Sequence, residues 1–361
     1  MSKKKTPSQE EIRDIMRKND HQPKKHLLIW MIFAVLVVII GAGGLGYYYL
    51  HSVTNKISAN HSSKDLEQLK KGKPISILVM GTDVGALGRG NSYAGNTDTM
   101  ELITINPTQG RTVITAIPRD TLVEVNTKDG KLYEKINAAY AIGGPKLAKK
   151  QVSELLDVPV NYYALMNMGT LEKIVDSVGG VEVDNPFAFT FEGHKYVKGK
   201  QELNGKQALG YSRMRYDDPN NDYGRQRRAQ QVLISAIEKF KTKGNLLSAN
   251  KMLVAVKDGV RTDLPLDDLS ILYKNYANAM NSTQQEQLIG KDAQVDGIDF
   301  QIATPNEINR ISKQVRHSMG VRPVNVSNNE TELVQLQTSW NGYNNLNFTL
   351  PNGAKYNQLQ K

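Results

Sequence analysis

The chain has 361 residues, a formal net charge of +10 and no cysteine. The lack of cysteine excludes disulfides, zinc–thiolate sites and a nucleophilic thiol, and the six histidines show no HExxH or similar metal-binding spacing. The surplus of lysine and arginine favours an anionic partner, which could be nucleic acid, a lipid head group or an anionic polymer.

A membrane-spanning helix is the first predicted element. No Asp, Glu, Lys or Arg lies between Lys25 and Lys56, and about 20 apolar residues suffice for a helix to cross the bilayer core. Because basic residues before a span tend to stay in the cytoplasm, we place a cytoplasmic tail at 1–26, the anchor at 27–50 and an extracellular stalk at 51–73. A cleaved signal peptide is disfavoured because no convincing small-x-small cleavage site follows.

This topology decides among the anionic partners. It predicts a single-pass type II protein of the cell membrane, with everything after the anchor outside the cell. Nucleic acid is then out of reach of the larger part of the chain. We therefore expect an anionic lipid head group or a cell-wall polymer as the partner.

Three strands begin the exported part. Ile75–Met80 is a short apolar run, which fits a strand buried on both faces. Met100–Asn106 and Arg111–Ile117 predict two further strands, and the intervening Pro-Thr-Gln-Gly predicts a hairpin-like connection between them.

Helical signals follow the strands. Pro145 suits the first turn of a helix that ends at Leu156, and Thr170 suits the cap of another that stops at Gly179. The stretch 181–201 returns to strand-like alternation, and 223–243 has the apolar periodicity of an amphipathic helix. Helices interleaved with strands predict a layered α/β domain, which we place at 74–245.

The C-terminal part is predicted in two pieces. Two helices within 246–280 and one at Ile308–Met319 predict a helical extension, 246–320, that packs on the α/β domain. Residues 321–361 are rich in Asn, Gln, Ser and Thr and contain few large apolar residues, so we expect poor order there.

An arginine tract at 211–231 contains five arginines and three aspartates. If Arg213 and Arg215 lie on an extended segment, their side chains share one face, and Arg225 and Arg228 share one face of a helix while Arg227 points elsewhere. Asp222 suits the N-cap of that helix. Clustered guanidinium groups are suited to a phosphate or pyrophosphate. A solvated charged turn is the alternative.

Acidic and basic residues also follow the predicted strands. Asp83 and Asp98 lie at neighbouring strand ends and could share a cation, for which oxygen-only ligation favours Mg²⁺. The alternative for both acids is a turn or capping role. Arg119, Asp120 and Lys135 lie at further strand ends, so we expect one polar cleft.

These segments together resemble the LytR-CpsA-Psr family of bacterial cell-wall proteins. The resemblance runs from about residue 75 to about residue 241 and rests on the following motifs, in order: MGTD, NTDTM, TINP, IPRDT, KINAAYAIGG, SVGGVEVD, LNGKQALGYSRMR and DPNNDYGRQRRAQQV. It implies an α/β/α sandwich with a central mixed sheet, preceded by one transmembrane helix. An apolar groove between sheet and helices would hold a polyprenyl tail.

The resemblance implies a magnesium-dependent phosphotransferase. Such an enzyme would move a phosphate-linked glycopolymer, such as wall teichoic acid or capsular polysaccharide, from a polyprenyl-pyrophosphate lipid carrier to a peptidoglycan sugar hydroxyl. A membrane-anchored regulator of cell-envelope genes is one alternative, although a 26-residue tail has no room for a helix-turn-helix. A hydrolase with water as acceptor and a non-catalytic polymer-binding protein are the others.

Site residues follow from the same resemblance. Asp83 and Asp98 match the family's ligands for magnesium, with manganese as a possible substitute. The pyrophosphate-binding and catalytic positions are Arg119, Arg213, Arg215 and Arg225, with Asp222 as an acid beside the pyrophosphate. Lys135 and Arg228 line the same site as substrate-binding residues. Asp222 and Asp98 both remain candidates for the general base.

Two positions depart from the family pattern. Asn96 stands where many members carry arginine, and Arg89 in the preceding loop is a candidate substitute that would bind substrate. Ala229 stands where many members carry glutamine after the last helix arginine. Both departures affect the fine positioning of the substrate and leave the metal pair and the main arginines unchanged.

Overall fold

The computed structural model describes residues 63–82, 93, 95–214, 217–219, 259–264 and 282–360, and scattered residues between 224 and 239 and between 275 and 279. The predicted tail, anchor and most of the stalk lie outside these residues. Among the helices that are described, none is long and apolar enough to cross a membrane.

The described helices are α1 (Ser63–Lys70), α2 (Ala138–Leu156), α3 (Met168–Ser177), α4 (Gly205–Arg213), α5 (Pro305–Ser318) and α6 (Asn329–Gln335). The strands are β1 (Ile75–Thr82), β2 (Thr97–Asn106), β3 (Arg111–Ala116), β4 (Leu122–Asn126), β5 (Lys131–Lys135), β6 (Tyr162–Asn167), β7 (Val181–Asn185), β8 (Phe189–Phe191), β9 (His194–Tyr196), β10 (Gly199–Leu203), β11 (Val260–Thr262), β12 (Ser282–Gln287), β13 (Lys291–Val295) and β14 (Ile298–Ile302).

A six-stranded mixed sheet forms the centre, in the order β11-β6-β1-β2-β3-β12. β1, β2 and β3 are antiparallel neighbours, as the hairpin signal between the second and third strand predicted. β6 runs parallel to β1, and β12 runs parallel to β3. The prediction of a layered α/β domain with a central mixed sheet is confirmed.

The sheet has an apolar layer on each face. In β1, Ile77 and Val79 belong to a cluster that also contains residues of α3 and α4, whereas Leu78 and Met80 belong to a cluster with residues of α2 and α5. Because side chains alternate across a strand, β1 is buried on both faces, as its unbroken apolar run predicted.

Helix starts agree with the sequence only in part. α2 breaks at Gly143 and Gly144, and Pro145 follows this break, so the predicted helix from Pro145 to Leu156 is its second half. For α3 the capping prediction is wrong, because Asn167 is the N-cap and its side chain accepts a hydrogen bond from the Thr170 amide at 2.8 Å. Asparagine and threonine are both favoured at the N-cap, so this preference alone does not distinguish Asn167 from Thr170.

A glycine allows α4 to start against α3. A Cβ added at Gly205 would lie 2.4 Å from the Glu172 carbonyl oxygen and 2.7 Å from Asp176 Oδ2. We expect Gly205→Ala to lower the free energy of unfolding by about 1–3 kcal/mol, because backbone has to move. Urea denaturation measures this, with the exposed neighbour Lys206→Ala as control; equal stability of the two variants would contradict the close contact.

The helical prediction for 246–320 needs correction. β11 and β12 extend the central sheet beside β6 and β3, and β13 and β14 form a hairpin, so the described residues of this part contain four strands. The polar β12, STQQEQ, joins the sheet through its backbone as an edge strand and has no apolar alternation to identify it. The helix predicted at Ile308–Met319 is present as α5. Most of 246–280 lies outside the described residues.

Residues 321–360 are also better ordered than their composition predicted. They contain α6, and Leu333, Phe348 and Leu350 are buried in a cluster with residues of β13 and β14. The few apolar residues of this segment are thus placed where they cover a hairpin, so the expectation of poor order was wrong. A count of apolar residues misses this, because it ignores where they are placed.

A buried acid in this segment makes the stability of the protein depend on pH. Burial raises the pKa of Glu330, in α6, to about 7, and its Oε1 accepts a hydrogen bond from the Glu124 amide at 3.2 Å. An acid whose pKa is raised by folding stabilises the protein most below the unfolded pKa, and this contribution is lost as pH rises through the folded value.

We therefore expect the native chain to lose about 3 kcal/mol of stability between pH 4.5 and pH 7 through Glu330, as its pKa shifts from 4.5 to about 7. Glu330→Gln should remove this dependence, so that the free energy of unfolding of the variant rises relative to that of the native chain as pH rises. Urea denaturation at pH 5 and pH 8, with the exposed Glu332→Gln as control, tests this. The same pH dependence in Glu330→Gln and in the native chain would refute it.

Candidate active site

Asp98 lies at an irregularity in the β1–β2 pairing. Gly81 pairs with Thr99 and Thr82 pairs with Thr97, which leaves Asp98 as the extra residue of a bulge. A bulge turns a side chain out of its regular direction and is frequent beside active sites. The Asp98 carboxylate is partly exposed at the end of the central sheet.

An ion pair of its carboxylate and a hydrogen bond to its backbone connect Asp98 to two neighbouring segments. Arg119 Nη1 pairs with Asp98 Oδ1, Arg119 Nε lies 3.6 Å from Asp120 Oδ2, and Lys135 Nζ lies 2.8 Å from Asp120 Oδ1. On the other side, Arg225 Nη2 donates to the Asp98 carbonyl oxygen at 2.9 Å. The structure thus brings four predicted site residues into one polar row: Asp98, Arg119, Lys135 and Arg225. We call these four residues and Asp120 the Asp98 row.

Backbone hydrogen bonds hold this row in place. The Ile136 amide donates to the Thr121 carbonyl at 2.8 Å, and the Asn137 amide donates to the Arg119 carbonyl at 3.3 Å. The loop that carries Arg119 and Asp120 therefore runs beside the end of β5, which carries Lys135. Side chains at the ends of three separate strands meet because the backbone fixes these ends together.

Arg213 lies at the end of a helix and not on an extended segment. α4 begins after Asn204, whose side chain accepts from the Gln207 amide at 2.9 Å in a capping box, and ends at Arg213. Arg213 Nη1 pairs with Glu192 Oε1. The expectation that Arg213 and Arg215 share a face of an extended segment is therefore wrong for Arg213, and Arg215 lies outside the described residues.

Arg228 is buried inside the protein. Its side chain is 3% exposed and pairs through Nη1 with Asp218 Oδ2, while Nε donates to the Tyr211 carbonyl oxygen at 3.0 Å. The Phe189 ring lies 5.5 Å from the guanidinium carbon. These contacts give Arg228 a structural role, and its substrate-binding role stays a prediction. Arg227 is exposed, as the helical spacing indicated.

The LytR_cpsA_psr family model matches residues 45–317. The chain belongs to the LytR-CpsA-Psr family. TagU of Enterococcus faecalis, a polyisoprenyl-teichoic acid–peptidoglycan teichoic acid transferase, is 33% identical over 298 residues. The match covers 82% of this chain and 97% of TagU.

Two crystal structures have a similar fold. A Streptococcus agalactiae protein has a TM-score of 0.66 at 31% identity, over 75% of this chain and 98% of that protein. Bacillus subtilis TagU has a TM-score of 0.53 at 32% identity, over 70% of this chain and 99% of TagU. The mixed α/β fold of the described residues is thus the fold of solved LytR-CpsA-Psr proteins.

Four predicted site residues of this family member, Asp83, Arg89, Arg215 and Asp222, lie outside the described residues. Within the described part, no group of three or more His, Cys, Asp or Glu residues is placed to hold a metal. The Thr97 amide donates to the Asn137 carbonyl oxygen at 3.4 Å, so Asn137 lies beside the residue that precedes Asp98. The Thr97 hydroxyl and the Asn137 side-chain oxygen are buried and have no hydrogen-bond partner among the described residues, and such oxygens fit magnesium. Oxygen ligands are those that Mg²⁺ prefers.

Two ion pairs of this LytR-CpsA-Psr protein were not predicted from its sequence. Glu192 pairs with Arg213, and Asp218 pairs with Arg228. Asp218 belongs to the arginine tract, and Glu192 lies in the stretch 181–201 with strand-like alternation. Their pairing with particular arginines depends on how the β8–β9 hairpin and the tract fold back, which local sequence patterns do not contain.

Proposed function

We propose that the chain transfers a phosphate-linked glycopolymer, with wall teichoic acid as the first candidate, from a polyprenyl-pyrophosphate carrier to a peptidoglycan sugar hydroxyl. Family membership and the similarity to TagU, a teichoic acid transferase, support the reaction class. The structural observation that carries the proposal is the meeting of Arg119 and Arg225 at Asp98. Two guanidinium groups beside a strand-end carboxylate suit a pyrophosphate and the activation of its acceptor.

In this reaction the sugar hydroxyl oxygen attacks the phosphorus that carries the polymer. A new phosphodiester bond forms, the phosphoanhydride bond breaks, polyprenyl phosphate leaves and a base accepts the hydroxyl proton. Phosphoryl transfer asks a protein mainly to position the groups and neutralise charge. Arg119 and Arg225 supply positive charge to the pyrophosphate, and Asp98 or Asp222 accepts the proton.

A divalent cation completes the proposed site. Asp98 and Asp83 would hold magnesium, or manganese, and the bound ion would neutralise part of the pyrophosphate charge. Lys135 is fixed on Asp120 at the far end of the Asp98 row. Its ammonium group adds positive charge for the polymer phosphate.

The products distinguish transfer from hydrolysis. We propose incubating the full-length chain with lipid-linked teichoic acid precursor and Mg²⁺, with and without peptidoglycan, and analysing the products by mass spectrometry. Transfer predicts polymer joined to peptidoglycan sugar through a phosphodiester. Release of free polymer phosphate in both samples would indicate a hydrolase, and unchanged precursor in both would contradict the proposal.

We also propose that the catalytic domain faces the cell exterior behind an anchor at 27–50. The lack of charged residues between Lys25 and Lys56 supports this, as does the extracellular position of the acceptor. Protease added to intact protoplasts should then digest the C-terminal domain. Full protection that disappears on lysis would place the domain in the cytoplasm and contradict the proposal.

A further inference from the structure

An ion pair joins the end of α4 to the turn between β8 and β9. Arg213 Nη1 contacts Glu192 Oε1, and the two side chains are 14% and 34% exposed. The Arg213 side chain is thus mostly covered, whereas Glu192 approaches it from the exposed turn. Because the arginine side chain is long and flexible, a carboxylate at one of its nitrogens restricts the direction in which the guanidinium points.

The turn that carries Glu192 has a strained backbone. Phe191 pairs with His194, so Glu192 and Gly193 form a two-residue turn, and their φ angles are +48° and +76°. Turns with two positive φ angles favour asparagine or glycine at the first position, and glutamate seldom adopts such a φ. Strain of this kind is often retained at functional sites. The unfavourable backbone angle of Glu192 therefore indicates a role for its side chain.

Close packing presents Glu192 to Arg213. Tyr196 Oη, on β9, donates to the Gln207 carbonyl oxygen of α4 at 2.8 Å. Gly210 permits this approach, because a Cβ there would lie 2.5 Å from Tyr196 Oη. The same Cβ position is 3.7 Å from Glu192 Oε2. The hairpin therefore lies directly on the last turn of α4, and Glu192 is held beside Arg213.

We propose that Glu192 is a positioning residue, whose carboxylate orients the Arg213 guanidinium for the pyrophosphate group of the lipid substrate. This inference rests on the proposed function and on the predicted pyrophosphate-binding role of Arg213. Losing the outer partner of a ligand-binding side chain typically weakens binding about 10- to 100-fold at metal sites. A comparable loss is expected here, because a guanidinium that has lost one of the contacts fixing its direction must be ordered further when the anion binds.

The variant Glu192→Asn distinguishes a loss of Arg213 orientation from a loss of protein stability. Glu192→Asn shortens the side chain and removes its charge, but suits the positive φ. We expect the affinity of the full-length chain in detergent micelles for geranylgeranyl pyrophosphate, measured by isothermal titration calorimetry, to fall about tenfold. The Tm should not fall, which distinguishes this variant from one that merely damages the fold. Glu182→Gln, which removes the exposed pair with Lys200, is the matched control and should bind like the native chain.

A double-mutant cycle decides whether Glu192 acts through Arg213. In an Arg213→Ala background, Glu192→Asn should cause no further loss of affinity. Unchanged or tighter binding by Glu192→Asn would overturn the proposal, and tighter binding would show that Glu192 competes with the ligand for Arg213. An additional tenfold loss in the Arg213→Ala background would overturn it too. Absence of binding by the native chain would instead contradict the proposed function, and this inference with it.

Discussion

Arg119→Ala is expected to lower the rate of polymer transfer by about 10²- to 10³-fold, the usual effect of removing one group that stabilises transition-state charge. Arg119 is central to the Asp98 row, because its guanidinium pairs with Asp98 and lies 3.6 Å from Asp120. The substitution removes positive charge from the pyrophosphate and also releases the Asp98 carboxylate from its partner. The loss of positive charge at the pyrophosphate is the effect that we expect to slow transfer.

Single-turnover transfer to peptidoglycan measures this effect, with circular dichroism and Tm to verify folding. Arg227→Ala is the matched control, because Arg227 is an exposed arginine of the same tract. Arg119→Lys should fall between the two, since lysine keeps the charge but not the planar fork of donors. Transfer by folded Arg119→Ala at more than a tenth of the native rate would remove Arg119 from the site.

Arg228→Met is expected to lower the free energy of unfolding by about 3–5 kcal/mol, the usual cost of leaving one partner of a buried ion pair alone. Asp218 is 2% exposed and pairs with Arg228. The arginine also donates to the Tyr211 carbonyl oxygen. Its removal therefore takes a positive charge from a buried carboxylate and a hydrogen bond from a buried carbonyl.

Urea denaturation of the native chain, Arg228→Met, Asp218→Leu and the double variant tests this. The double variant should recover about half of the loss or more, because replacing both members of a buried pair by apolar residues removes the uncompensated charge. A loss below about 1 kcal/mol in Arg228→Met, which is typical of a surface ion pair, would show that the pair is not structural. Transfer by the folded double variant would then separate this role from substrate binding.

Much of the central sheet could be predicted because its signals are local. The run Ile75–Met80 is apolar on both faces, and it is buried on both faces. Edge strand β12 could not be predicted, because its polar residues contribute backbone hydrogen bonds that any sequence can make. The order of 321–360 was missed because a few well-placed apolar residues, such as Phe348 and Leu350, suffice to cover a hairpin.

In the candidate site, too, features with local signals could be predicted, and those that depend on tertiary contacts could not. Strand-end positions identified Asp98, Arg119 and Lys135, and the structure places them in one row. Arg213 lies on a helix end because α4 continues through it, which two-residue spacing does not reveal. Whether an arginine of the tract points into the protein, as Arg228 does, depends on a tertiary partner that no local pattern contains.

The proposed reaction requires that the Asp98 row binds the pyrophosphate of a lipid carrier. A crystal structure of the chain with a polyprenyl-pyrophosphate analogue would show this binding. We predict pyrophosphate oxygens within hydrogen-bond distance of the Arg119 and Arg225 guanidinium groups, with Asp98 beside the phosphorus that carries the polymer. An ordered pyrophosphate bound elsewhere, with both arginines still in contact with Asp98 and not with the ligand, would contradict this proposal.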